Sequence, residues 1–186
     1  MRILALSGSL RRDSHNRGLL RTAAELFPGD VDFEVYEDLR AVPPYDEDDD
    51  LEPAPAAVAH LRAAIADADA LLIATPEYNS SIPGQLKNAI DWASRPLATN
   101  VLRNKPVAVI GASTGAFGAV WAQAELRKVL AAAGARVLDA ELAVGHAPER
   151  FDASGRLADP ELREQLGEVL ELLREAAGAR GTVAAA

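Results

Sequence analysis

The sequence predicts one α/β domain spanning residues 1–178, a three-layer sandwich with helices on both faces of a five-stranded parallel sheet. Three observations lead there. Strand-like and helix-like segments alternate in a βα order repeated five times along the chain, the pattern of a doubly wound sheet with right-handed crossovers. Two of the strand segments, Ala70 to Thr75 and Lys105 to Gly111, are apolar almost throughout, as strands covered on both faces are. Each of the first, third and fourth strands then breaks into a polar loop of small residues before the next helix, and in open α/β sheets ligands sit at such carboxyl ends. A length of 186 residues and an apolar fraction of 49% suit one well-filled core.

In chain order, Ile3 to Ser7 is the first strand and Ser14 to Leu26 the first helix, with Leu19, Leu20, Ala23 and Leu26 on one face. The loop between them, Ser7 to Asn16, brings hydroxyls and two arginines to a helix start, where open N–H groups and the helix dipole favour a phosphate. Ser9, Arg11, Ser14 and Asn16 are its candidate ligands. The loop is neither G-x-x-x-x-G-K-[ST] nor G-x-G-x-x-G, so a triphosphatase or a dinucleotide fingerprint is not supported here. Val31 to Glu37 alternates apolar and acidic residues, as a half-exposed strand does. The loop after it carries two prolines, Tyr45 and five successive acids, Asp46 to Asp50. The acids lack the spacing of a calcium loop and are expected to be solvated; Tyr45 could lean over a ligand.

Ala54 to Asp67 is expected to be helical, then Ala70 to Thr75 forms the third strand. Thr75 to Pro96, TPEYNSSIPGQLKNAIDWASRP, follows it. Here two prolines, a glycine and several hydroxyl and amide side chains precede a helix from Pro83 to Trp92, with Pro83 near its first turn. This loop is expected to lie along the edge of a flat, polar-rimmed cofactor, and the helix behind it, through Asn88 to Trp92, to face a second subunit. Lys105 to Gly111 is the fourth strand, ending in the small-residue loop Gly111 to Gly118; Ala119 to Gly134 is the next helix, with Gly134 as its C-cap. Ala135 to Leu138 is the fifth strand, resumed by Leu142 to Val144 after a polar break. Asp159 to Ala177 is the last helix, and residues 179–186 are expected to form a flexible tail.

The net charge of −9 argues against a nucleic-acid partner and against an anionic membrane surface. No cysteine is present, which excludes disulfides and thiolate chemistry and fits a reducing cytoplasm. The N-terminal MRILALSGS has too short an apolar run for a signal-peptide core, and no stretch reaches bilayer-spanning length. The three histidines, His15, His60 and His146, form no H-E-x-x-H or comparable ligand set, and no G-x-S-x-G elbow or Ser-His-Asp set is found. No metal is expected, and no side chain is assigned as catalytic acid or base. A phosphate loop with a polar rim and no conventional catalytic set suits a flavin, because the cofactor performs the difficult step itself.

GSLRRDSHN, TPEYNSSIPGQLKNAIDWASRP and GASTGAFGAVWAQAELRKVL together resemble the NAD(P)H-dependent FMN reductases, which include quinone, azo-dye and chromate reductases of flavodoxin-like fold. The resemblance runs from Ile3 to about Leu138, and FDASGRLADPE is also similar. It implies a flavodoxin-like strand order, 2-1-3-4-5, in which strands one, three and four are neighbours and their loops share one rim. It implies that Ser9, Arg11, Ser14 and Asn16 grip the FMN phosphate, that Pro76, Glu77, Tyr78 and Asn79 lie along the isoalloxazine, and that Ser113, Thr114 and Gly115 meet the ring's pyrimidine side. Relatives usually have glycines where Ala112 and Ala116 stand, and many have an arginine where Trp121 stands, in a helix used for subunit contacts.

The expected function is transfer of hydride or electrons from NADPH or NADH, the co-substrate, through bound FMN to a small-molecule second acceptor by ping-pong. That acceptor is a flavin, quinone, azo compound or chromate. A cytoplasmic homodimer or homotetramer is implied by the resemblance. The rivals are a flavodoxin-type electron carrier without nicotinamide activity, which would not bleach with NADPH, and a regulatory flavin-fold module, which would stay colourless with FMN.

Overall fold

The computed structural model describes residues 1–183, and side chains as far as Ala179. Five strands, β1 (Arg2–Ser7), β2 (Asp32–Tyr36), β3 (Ala70–Thr75), β4 (Pro106–Ala112) and β5 (Arg136–Val144), form one sheet in the order β2-β1-β3-β4-β5. Every neighbouring pair is parallel, which gives the flavodoxin-like order. The helices are α1 (His15–Leu26), α2 (Ala56–Asp67), α3 (Gly84–Ala93), α4 (Val120–Ala132), α5 (Ala147–Arg150) and α6 (Pro160–Val183).

Strand periodicity explains why the central strands are apolar on both faces. Leu71 and Ile73 of β3, with Val107 and Val109 of β4, point into one core beneath α2, α3 and α4. Ala70, Leu72 and Ala74, with Ala108 and Ile110, point into the other core beneath α1 and α6. Successive residues of a strand alternate faces, so a continuous apolar run is what two covered faces require. Truncating one of these buried leucines to alanine would cost about 2–5 kcal/mol.

Two elements differ from expectation. The polar break in the fifth strand does not end it. Two positions on β4, Val107 to Val109, span four on β5, Val137 to Glu141, so the extra residues bulge and the strand resumes in register. The last helix also runs beyond Ala177 to Val183, because the Ala-rich sequence there contains no proline to stop it. Residues 179–183 of the expected tail are therefore helical, and residues 184–186 lie outside the described residues.

The segment after β2 is fastened down rather than solvated throughout. Asn88 Nδ2 and Trp92 Nε1 both donate to the Pro43 carbonyl, at 2.8 and 2.9 Å, and Tyr45 N–H donates to Asn88 Oδ1 at 2.7 Å. Tyr45 packs edge-on against Trp92 with ring centroids 4.9 Å apart. Arg62 pairs with Asp50 at 2.7 Å and sits 5.6 Å from the Trp92 ring centroid. Tyr45 therefore does not lean over a ligand; it is part of a strap across α2 and α3. For the same reason Trp92, with 0% exposure, does not face a second subunit. The run of acids keeps four exposed members, while Asp50 is drawn into the ion pair.

Among the described residues, no helix is long and apolar enough to cross a membrane, and no group of three or more His, Cys, Asp or Glu is placed to hold a metal ion.

Candidate active site

The loops following β1, β3 and β4 meet on one rim because those strands are adjacent. They enclose a cleft of about 190 Å³.

The first wall is the β1 loop and the start of α1. Gly8 N–H donates to the Ala74 carbonyl at 2.8 Å, which ties this loop to the end of β3. A Cβ at Gly8 would stand 2.9 Å from Leu86 Cδ2 of α3 and 3.2 Å from Pro76 Cδ, so a larger residue there would push on both. Ser14 caps α1, its hydroxyl accepting from Asn16 N–H at 3.2 Å. Ser9 Oγ accepts from Arg11 N–H at 3.4 Å, and the guanidinium of Arg11 is exposed at the cleft. Among the described residues, the N–H groups of residues 12–14 have no partner. With the positive end of the α1 dipole, these donors favour an anion.

Asn16 works differently. Its carboxamide nitrogen donates to the Ala112 carbonyl at 2.9 Å and its oxygen accepts from Ala112 N–H at 2.9 Å. This buried two-way bond mimics a strand pair and locks α1 to the end of β4. The side chain borders the cleft, but its amide is already committed.

The second wall is the β3 loop. Tyr78 and Ser81 exchange backbone hydrogen bonds of 3.0 and 3.1 Å, with Asn79 and Ser80 at φ of 53° and 61°, a tight turn with both central residues left-handed. Two acids of neighbouring origin hold it in place. The Glu77 carboxylate accepts from Ala122 N–H at 3.1 Å at the start of α4. Glu125 of α4 accepts from the Ser81 hydroxyl at 2.6 Å. Pro76 is buried, and Tyr78 stands 52% exposed at the mouth.

The third wall is the β4 loop. Ser113 N–H donates to the Val144 carbonyl at 3.0 Å, and Gly115 N–H to Ser113 Oγ at 3.2 Å. Ala112, Ser113 and Tyr78 also have their N–H groups engaged, whereas among the described residues those of Glu77 and Thr114 have no partner. Gly118, at φ 58°, closes the loop onto β5. A Cβ there would meet the Ala143 carbonyl carbon at 2.4 Å. Phe117 and Trp121 form an exposed edge-to-face pair, centroids 5.1 Å apart, beside this loop.

Of the eleven residues singled out by sequence, nine border the cleft, from Ser9 and Arg11 through Pro76 and Tyr78 to Ser113 and Thr114. Asn79, at the tip of its turn, and Gly115 do not border it. His15 and Ala112 do, although neither was singled out as a ligand. Both lie beside residues that were, which is the signal that could have found them. Burial, with Arg11 second, lowers the His15 pKa from its ordinary value. Phe151, from the segment between β5 and α6, lies 5.0 Å from the His15 ring and backs it from outside.

The model of the NADPH-dependent FMN reductase family matches residues 1–149. The chain belongs to the NADPH-dependent FMN reductase family. Its similarity to individual proteins extends over nearly the whole chain. An NAD(P)H-dependent FMN reductase of Pseudomonas aeruginosa is 43% identical over 94% of this chain and 94% of its own. A 2-hydroxy-1,4-benzoquinone reductase of Burkholderia sp. is 42% identical over 89% of this chain and 90% of its own. Among solved structures, FerB, a flavoenzyme NAD(P)H:(acceptor) oxidoreductase from Paracoccus denitrificans, superposes with a TM-score of 0.84 at 34% identity, covering 96% of this chain and 97% of that one. The matched family region contains all three loops of the rim.

Proposed function

We propose that this chain is an FMN-dependent reductase that takes electrons from NADPH or NADH and delivers them to a second small-molecule acceptor by ping-pong. Quinones are the leading acceptor class, and free flavin, azo compounds and chromate are the others. The observation that carries this reading is the convergence of an anion-binding helix start and two anchored loops on one cleft, in a chain of this family.

The residues fit FMN on their own chemistry. Hydroxyls of Ser9 and Ser14, the Arg11 guanidinium and open N–H groups at the α1 start supply donors for a phosphate, each charge-assisted bond contributing about 1.5–3 kcal/mol. Pro76, Tyr78 and Ala112 to Thr114 line the same cleft and would border a ring system held there. FMN, when bound, supplies the electron transfer between nicotinamide and acceptor.

The protein's part is placement. Asn16 holds the β1 and β4 loops at a fixed separation through Ala112. Glu77 and Glu125 fix the β3 loop against α4. The N–H groups of Glu77 and Thr114, without a partner among the described residues, would donate to the ring's polar edge and favour negative charge there. Asn79, at the tip of its turn, would reach the ring only from outside the cleft, and Gly115 shapes the end of the β4 loop. No side chain is required as acid or base.

We assign the working form to a cytoplasmic homodimer or homotetramer, with the exposed Phe117–Trp121 pair at a subunit contact. Initial rates with NADPH and a benzoquinone test the scheme. Parallel double-reciprocal lines are expected; intersecting lines would require both substrates to bind together and would overturn ping-pong. Absence of NADPH and NADH oxidation by FMN-loaded protein with every acceptor class would overturn the enzymatic reading.

A further inference from the structure

A second compartment of about 270 Å³ opens beside the first, between the β1 loop and the start of α3. Arg11 and Tyr78 border both, so the two form adjoining parts of one groove. The charged side chains that line the second compartment are Arg11 and Arg40, and no carboxylate lines it. In a chain of net charge −9 this is a local reversal of sign.

The two arginines reach it from different elements. Arg11 lies in the β1 loop, and Arg40 in the segment following β2. Arg40 is exposed, and its Nη2 donates to the Leu10 carbonyl at 3.0 Å. That bond steadies the guanidinium at the edge of the compartment and leaves most of its five donors open. Among the described residues, no acid pairs with either arginine. Gln85, the other polar side chain there, is engaged: its amide donates to the Leu39 and Val42 carbonyls, both at 2.8 Å.

We infer that this compartment receives the 2′-phosphate of NADPH, and that Arg40 is the residue that selects NADPH over NADH. The inference rests on the function proposed above. Because Arg11 and Tyr78 border both compartments, a dinucleotide whose nicotinamide lay against the flavin beside Tyr78 would have the second compartment open to its adenosine end. NADPH differs from NADH by a single phosphate on the adenosine ribose. An arginine fork binds that phosphate with two parallel hydrogen bonds, whereas selection for NADH uses a carboxylate that accepts from the free 2′-hydroxyl and repels the phosphate. The compartment has the first kind of group and lacks the second. The flavin phosphate does not compete for Arg40, because its donors, Ser9, Ser14 and the α1 start, line the first compartment.

The direct test is calorimetric titration of FMN-loaded protein with adenosine 2′,5′-bisphosphate and, separately, with adenosine 5′-phosphate. The bisphosphate is expected to bind about tenfold more tightly, the worth of one charge-assisted pair. Arg40→Gln should remove that difference, and Arg40→Lys should restore part of it. In turnover, Arg40→Gln should lower the NADPH-to-NADH ratio of kcat/KM by about tenfold. Equal affinity of the two probes for the unmodified protein, or a difference that survives Arg40→Gln, would overturn the inference. If the protein takes up no FMN and oxidises neither nucleotide, the functional reading fails. The same titration on flavin-free protein then decides the Arg40 assignment separately.

Discussion

The loop after β1 and the segment after β2 leave neighbouring strands at the same end of the sheet, and both are polar and heavily charged. They differ in where their hydrogen-bonding groups go. In the segment after β2, the carbonyls of Leu39, Val42 and Pro43 accept from Gln85, Asn88 and Trp92, and Asp50 pairs with Arg62. In the β1 loop, among the described residues, the N–H groups of residues 12–14 have no partner, and the exposed Arg11 borders the cleft. Buried backbone polar groups find partners, so a strap and a binding loop are distinguished by which groups are already satisfied, and not by how polar each looks.

Substitution can break this contrast from either side. The largest effect is expected from Trp92→Ala. It removes a fully buried ring, its bond to Pro43 and its contacts with Tyr45 and Arg62. Urea unfolding should show a loss of about 3–5 kcal/mol, while FMN affinity of the folded fraction changes by less than about threefold. A large loss of flavin at constant stability would show that the strap belongs to the site.

Asn16→Ala tests the residue that lies between the two classes. It leaves Ala112 N–H and C=O unsatisfied in a buried position, which should cost about 2–3 kcal/mol of stability and weaken FMN binding together. Loss of binding with unchanged stability would mean that the amide serves the ligand directly. Arg11→Ala sits wholly on the binding side. FMN affinity should fall about tenfold in a fluorescence titration, with unfolding free energy shifted by less than about 0.5 kcal/mol. The smallest effect is expected from Tyr45→Ala, a loss of about 1 kcal/mol of stability with turnover retained. A drop in turnover would restore Tyr45 to the site.

Much of this was legible in the sequence, and for local reasons. Ala70 to Ala74 and Val107 to Ile110 are apolar because both faces of a central strand are covered, and that reads without a structure. Ser14 announced a helix start, and Ser14 is the cap. What the sequence left hidden is non-local. Tyr45 meets Trp92 and Asn16 meets Ala112 across long stretches of chain, so nothing near either residue reveals its partner. The bulge in β5 resembles a strand end because Asp139 and Glu141 are polar, and pairing with β4 alone shows the strand continuing. Arg40 follows a strand whose loop carries no recognised motif, and it reaches the groove through the fold.

On the function proposed above, the rim formed by the three loops holds FMN for reduction by a nicotinamide nucleotide. Absorbance spectroscopy of protein incubated with FMN and passed through a desalting column, followed by anaerobic addition of NADPH, tests it most directly. The visible flavin band is expected to elute with the protein and to bleach on mixing with NADPH. Protein that elutes colourless, or whose flavin band neither NADPH nor NADH diminishes, would contradict it.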